Sequence, residues 1–282
     1  MNAKKIQALY SLKWNPFSAD VPVEALWAAP RVDLFCQRLE HLVRDGGFAI
    51  ISGEPGTGKS VNLRLVAHRL THIPDVTVGV ITRPQSQVAD FYREMGHLFS
   101  VNLAPHNRWC GFRSLRERWL AHVDQTLYRP VLLVDEAQEM PPAVLAELRL
   151  LASTDFDSRS LLTVVLCGDS RLLAQLKTEE LLPVASRIRA RLLLDGLGAR
   201  DLVDMLRHVT ERAGNSALLT PELMNTLAEH SAGLPRVLMQ MADDLLLAGA
   251  AHERERLDEK LYLELFAQPR DTRTRSRTQT RP

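Results

Sequence analysis

Hydrophobic and polar positions alternate between two periods along this chain. Short unbroken apolar runs read as strands buried on both faces: Phe48-Ala49-Ile50-Ile51, Val76 to Ile81, Pro130 to Val134 and Leu161 to Cys167. Arg191 to Leu194 reads as a last strand. Between the runs, apolar residues recur at spacings of three and four. Val32, Phe35, Leu39, Leu42 and Val43 predict a helix over 31–45; Leu63, Val66, Ala67 and Leu70 predict another. Similar patterns cover 86–100, 114–127, 142–152, 171–177 and 179–186, while 104–113 and 153–160 read as loops. Strand and helix alternate, so the expected fold class is α/β, a parallel sheet between helices.

After about residue 198 the strand pattern stops. Only helical segments follow, near 199–213, 220–231, 235–249 and 257–266, broken at Gly214-Asn215-Ser216 and Ser231-Ala232-Gly233. The expected organisation has four parts: an irregular segment 1–30 packing on the core, an α/β core 31–198, a small all-helical domain 199–267, and a tail 268–282. The tail alternates Arg with Thr or Ser. It offers nothing to bury and is expected to be disordered.

The first strand leads into Gly53-Glu54-Pro55-Gly56-Thr57-Gly58-Lys59-Ser60, which fits the phosphate-binding pattern G-x-x-x-x-G-K-[ST] at every fixed position. A strand, a glycine turn and a helix start make an anion trap: backbone N–H groups and the helix dipole converge on phosphate. Lys59 is expected to reach the β- and γ-phosphates of ATP, and the Ser60 hydroxyl to ligate Mg2+. A later strand ends in Asp135-Glu136. There Asp135 is expected to hold the magnesium shell and Glu136 to polarise the attacking water, so ATP hydrolysis is the expected activity.

Composition changes this picture little. The 282 residues are 45% hydrophobic and 24% charged with net charge +1, an ordinary globular balance without a global field for nucleic acid. No apolar run spans a bilayer and no signal-peptide pattern opens the chain, so no membrane partner is expected. Cys36, Cys110 and Cys167 lack metal-ligand spacing and suggest reduced thiols in a cytoplasmic protein.

An α/β core followed by a helical lid resembles the AAA+ ATPases. Asn15-Pro16-Phe17, Gly53 to Ser60, Val134 to Gln138, Val165 to Gly168, Ser186-Arg187-Ile188 and Ser231 to Arg236 carry a likeness to the ExeA-like group, and most to its TniB/TnsC-type transposition regulators. The likeness spans about residues 10 to 250. It implies an AAA+ P-loop NTPase core, an arginine finger at Arg187, with Arg189 and Arg191 as alternatives, and a sensor 2 at Arg236. Sensor 1 falls at Asp169, where an acid beside the γ-phosphate is electrostatically awkward.

The resemblance implies a regulator that oligomerises on duplex DNA with ATP, as a ring or helical filament, and recruits or activates a transposase or integrase. Exposed basic positions are expected to touch phosphates without reading sequence: Arg83, then Arg108, Arg113 and Arg116, with the tail arginines adding affinity. The alternatives are a secretion-assembly ATPase of the ExeA type and a nucleotide-dependent signalling switch. The chain ends after the lid without a transmembrane helix, which weighs against the secretion reading. The intact Glu136 weighs against a switch without hydrolysis.

Overall fold

In the computed structural model, residues 3–103 and 108–266 are described; the expected tail 268–282 and residues 104–107 lie outside them. The elements run α1 (Ala3–Leu9), α2 (Pro30–Asp45), β1 (Gly47–Gly53), α3 (Lys59–Thr71), β2 (Val78–Ile81), α4 (Val88–Leu98), α5 (Arg108–Thr126), β3 (Val131–Val134) and α6 (Pro142–Ala152). A two-stranded hairpin, β4 (Ser153–Thr154) and β5 (Arg159–Ser160), precedes β6 (Thr163–Gly168), α7 (Ser170–Gln175), α8 (Leu182–Ala185) and β7 (Ile188–Leu194). Four helices close the chain: α9 (Ala199–Ala213), α10 (Pro221–His230), α11 (Pro235–Ala251) and α12 (Glu259–Phe266).

Five strands form one parallel sheet in the order β2-β3-β6-β1-β7. The period of two divides its side chains between two apolar layers. Phe48, Ile50, Leu132 and Val134 pack against α4 to α8, while Ala49, Ile51, Val131 and Leu133 pack against α2 and α3. Strand β7 is different. Ala190, Leu192 and Leu194 are buried, and Arg189, Arg191 and Leu193 on its other face are exposed. A half-covered edge strand alternates instead of reading as an apolar run, so its first half escaped the sequence pattern. Because all five strands are parallel, the loops after β1, β2, β3 and β6 gather at one edge of the sheet. The residues that lead into β7 lie at the opposite edge.

The expected α/β class and helical lid are both present. Three local expectations are corrected. Helix α5 starts at Arg108, inside the expected loop; Gly111 sits within it because a Cβ there would lie 2.9 Å from the Tyr92 ring. Residues 153–160 form a hairpin. Residues 3–9 are helical, and the N-terminal segment divides its contacts instead of packing on the core alone. Ile6, Tyr10, Leu12 and Phe17 join the apolar cluster of the lid, and Asn15 donates to Asp243 at 2.7 Å. Further on, Arg64 of α3 donates to the Ala19 and Val21 carbonyls, both at 3.0 Å, and Ala29 enters the core.

Candidate nucleotide site

The glycine loop is shaped by close approach. Gly53 ends β1 against β7, where a Cβ would stand 2.5 Å from the Leu194 carbonyl oxygen and 2.7 Å from the Thr57 hydroxyl. Gly56 and Gly58 adopt φ of 91° and 93°, a conformation that favours glycine. Thr57 donates to the Glu54 carbonyl at 2.8 Å and closes the turn, while Glu54 and Pro55 are exposed on its outer side. Lys59 is 7% exposed, and its ammonium donates to the carbonyls of Gly53 at 2.9 Å and Glu54 at 3.2 Å. The loop thus folds around the Lys59 cation. Gly58, which caps α3, offers no side chain to the first N–H groups of the helix, leaving them and the dipole for an anion. Ser60 is exposed on the first turn of α3.

Asp135 and Glu136 follow β3 at the same edge. The Asp135 amide is tied to the Ile81 carbonyl at 2.9 Å, and its carboxylate accepts from the Glu136 amide at 3.0 Å. Glu136 itself has φ 49° and ψ 43°, a left-handed conformation that non-glycine residues seldom adopt and that recurs at functional sites. Cys167, at the end of β6, is packed beside Asp135 and Lys59. Burial first, and then the Asp135 charge, push its thiol far above the usual range. The phosphate loop and the acidic strand end therefore converge. The donor set suits magnesium, a hard cation that keeps several waters and takes one or two carboxylates beside substrate phosphates. Ser60 and Asp135 are the residues that would hold it.

Gln138 was not singled out from the sequence. Its side chain is buried, its amide donates to the Glu136 carboxylate, and its oxygen accepts from the Asp169 amide at 3.3 Å. A Cβ on Gly168 would collide with that oxygen at 2.6 Å. Gln138 therefore ties Glu136 to the end of β6. Its place at the end of the Val134 to Gln138 run, two residues beyond Glu136, is the signal the sequence offers. Asp169 lies at that strand end but its carboxylate is engaged elsewhere: it caps α7 by accepting from the Arg171 amide at 2.9 Å and pairs with the Arg171 guanidinium at 3.0 Å.

The lid meets the loop through Arg236. Its amide donates to the Gly56 carbonyl at 3.2 Å, so the N-terminus of α11 abuts the phosphate loop. Gly233, at φ 79°, accepts from the Leu197 amide at 2.8 Å and fastens the lid to the end of the core. Arg187 is placed far from all of this. Ile188 and Leu194 pair with Phe48 and Gly53, so Arg187 lies beside the start of β1 and the phosphate loop beyond its end. Six residue steps of about 3.3 Å separate the two, roughly 20 Å. Arg189 and Arg191 follow on the exposed face of β7.

The four expected DNA contacts separate. Arg83 is exposed in the loop after β2, with no hydrogen bond or ion pair among the described residues. Arg113 pairs with Glu117 at 2.7 Å. Arg116 donates to the Leu150 carbonyl at 3.0 Å and to the Ser153 carbonyl, and lies over the Phe112 ring. Arg108 makes two bonds to the carboxylate of Glu147, a side chain only 4% exposed. Arg108 and Arg116 are thus engaged internally, where the sequence reading had them free for phosphate.

Fold and phosphate loop together define an AAA+ P-loop NTPase core. Residues 42–176 match the family model described as AAA domain. The chain is similar to General secretion pathway protein A of Aeromonas hydrophila, an ExeA-like relative, at 31% identity over 247 residues, which is 86% of this chain. The chain spans 44% of the length of that relative. Among solved structures it is similar to Cdc6p from Pyrobaculum aerophilum, with TM-score 0.67 and 14% identity over 86% of this chain and 67% of that one. It is also similar to Drosophila ORC bound to DNA, with TM-score 0.66 and 18% identity over 92% and 64%. The Thermotoga maritima RuvB motor follows, with TM-score 0.60 and 18% identity over 89% and 71%. These structural likenesses carry the fold. No described helix is long and apolar enough to cross a membrane.

Proposed function

We propose that this chain is a magnesium-dependent ATPase that assembles into a homo-oligomer through its nucleotide site, and that the assembly binds duplex DNA and regulates transposition by recruiting or activating a transposase or integrase. The phosphate loop binds the triphosphate, with Lys59 exchanging its carbonyl partners for phosphate oxygens. Ser60 and Asp135 would hold magnesium, which when bound would supply positive charge beside the phosphate oxygens. Glu136 orients and deprotonates the attacking water from a carboxylate that Gln138 holds. Arg236 closes the lid onto the γ-phosphate. Arg187, about 20 Å from its own loop, can serve only a neighbour's nucleotide.

The observation that carries the DNA reading is Arg83, an exposed arginine without a partner among the described residues, at the sheet edge that carries the phosphate loop. Coupling between nucleotide and DNA then needs no long path. The DNA-bound ORC relative of the same fold is consistent with this. The 31% identity to a secretion pathway protein supports a second reading, assembly of a secretion apparatus.

Fluorescence anisotropy of a labelled random duplex, titrated with protein and an ATP analogue at several salt concentrations, separates the two. Binding should need nucleotide, weaken steeply with salt at about 0.9 log units per phosphate contact, and fall in Arg83→Ala. No binding at low salt sinks the DNA reading and leaves the secretion reading standing.

A further inference from the structure

The guanidinium expected to work on a neighbour is occupied within its own subunit. Arg187 donates to the Asp157 carboxylate at 2.5 Å and to the Pro183 carbonyl, and its side chain is only 26% exposed. A group held this way does not project toward another copy. Asp157 belongs to the turn between β4 and β5, where Asp155, Phe156 and Asp157 carry φ of 52°, 56° and 67°. Three consecutive non-glycine residues in the left-handed region form a conformation that the surroundings must enforce, as happens at switch elements. Phe156, at the tip, is fully exposed next to the carboxylate. A surface that covers this aromatic ring meets Asp157 at the same time.

Charge supplies the second half of the argument. Arg187 lines a polar cavity of about 410 Å3 with Arg129, Arg159 and Arg189, against the acids Asp45 and Asp157. Burial, and then the nearby Arg159 charge, lower the Arg129 guanidinium from its ordinary value, as like charges in close quarters require. Asp157 also lies 3.8 Å from Arg149 and is held below the usual carboxylate range, first by a Ser153 hydrogen bond and also by Arg187 and Arg149. Without the Asp157 charge, the remaining arginines repel Arg187 outward.

We propose that the β4–β5 turn is a latch: Asp157 holds Arg187 against its own subunit, and a second copy of this chain must displace that contact before Arg187 reaches the second copy's triphosphate. Asp157 is thus a positioning residue that raises the threshold for assembly and keeps solitary subunits from presenting an active finger. This inference rests on the reading that Arg187 acts in trans.

The test is sedimentation velocity of the full chain with magnesium and a non-hydrolysable ATP analogue, across protein concentrations. Asp157→Asn keeps the side chain's size and removes its charge; Asp157→Ser is the second variant, and a melting curve confirms that each is folded. Half-assembly should occur at about two- to fivefold lower protein concentration in either variant, the range that a partly exposed ion pair provides. In the double variant Asp157→Asn/Arg187→Ala the gain should vanish, leaving the assembly defect of Arg187→Ala alone. That dependence separates a latch from a general effect of the turn. An unchanged or raised half-assembly concentration, or a gain that persists without Arg187, overturns the latch while the trans reading stands. If Arg187→Ala assembles and hydrolyses like the wild type, the trans reading fails and the latch fails with it.

Discussion

Replacing Arg108 by alanine should destabilise the fold, and any loss of DNA binding should follow from that. Glu147 of α6 is buried against α4 and α5. Its carboxylate accepts from the Tyr92 hydroxyl at 2.5 Å, from Arg108 Nε at 3.1 Å, and from a second Arg108 N–H group. The alanine variant therefore removes two of the three donors that this carboxylate has among the described residues, and with them the cation paired with a side chain that is 4% exposed. Breaking a fully buried ion pair costs about 3–5 kcal/mol. The Arg108 side chain is 63% exposed, so water replaces part of what it gave, and the cost falls below that range. The expected cost is about 2–3 kcal/mol, in line with charge-assisted bonds lost one by one. For a chain of this size that lowers the melting temperature by about 4–10 °C. Circular dichroism of nucleotide-free protein reads it directly. Arg83→Ala, which removes no partner among the described residues, should stay within about 0.5 kcal/mol of the parent. Adding Glu147→Gln to Arg108→Ala should recover part of the loss, because a neutral amide leaves no orphaned charge. An unchanged melting temperature in Arg108→Ala, together with weaker duplex binding, would refute this reasoning and return Arg108 to the DNA surface.

Lys59→Ala should abolish nucleotide binding in calorimetry, since the loop has no other side-chain cation; retained affinity would displace the site. Glu136→Gln should keep ATP binding, lose hydrolysis and accumulate as an ATP-bound oligomer, whereas wild-type turnover would mean that Glu136 is not the base. Stability should fall as pH drops below about 6.5. The imidazoles of His122 and His208 are both lowered, first by burial and then by Arg118 and Arg212 respectively. The folded state then binds fewer protons than the unfolded chain below that pH, and acid favours unfolding. Urea unfolding at pH 7.5 and 5.5 should show the difference, and His122→Asn with His208→Asn should shrink it.

What the sequence made legible was whatever depends on local pattern. The strands β1, β3 and β6 are buried on both faces and read as unbroken apolar runs. The phosphate loop and Asp135-Glu136 are contiguous motifs that can be recognised by their spacing, and the four lid helices are amphipathic between glycine breaks. The rest depended on partners far along the chain. Helix α1 has little pattern of its own and is held by Ile6 and Tyr10 on the lid. The start of α5 looked like a loop because Gly111 breaks helices in general, yet here it makes room for Tyr92. Arg108 and Arg116 looked like solvent-facing cations because Glu147 and the Ser153 carbonyl lie more than thirty positions away. The same blindness hid the contact between Arg187 and Asp157. No periodicity marks strands of two residues.

The central claim is that each nucleotide site is completed by a neighbour, and subunit mixing tests it most directly. Arg187→Ala retains an intact loop and Glu136 but lacks the finger; Glu136→Gln retains the finger but lacks the base. Each variant alone should be nearly inactive in steady-state phosphate release. Mixed in equal amounts with magnesium and ATP, they should recover a substantial fraction of wild-type activity, because Glu136→Gln subunits lend Arg187 to the intact sites of their neighbours. An inactive mixture, or full activity of Arg187→Ala by itself, would contradict the account.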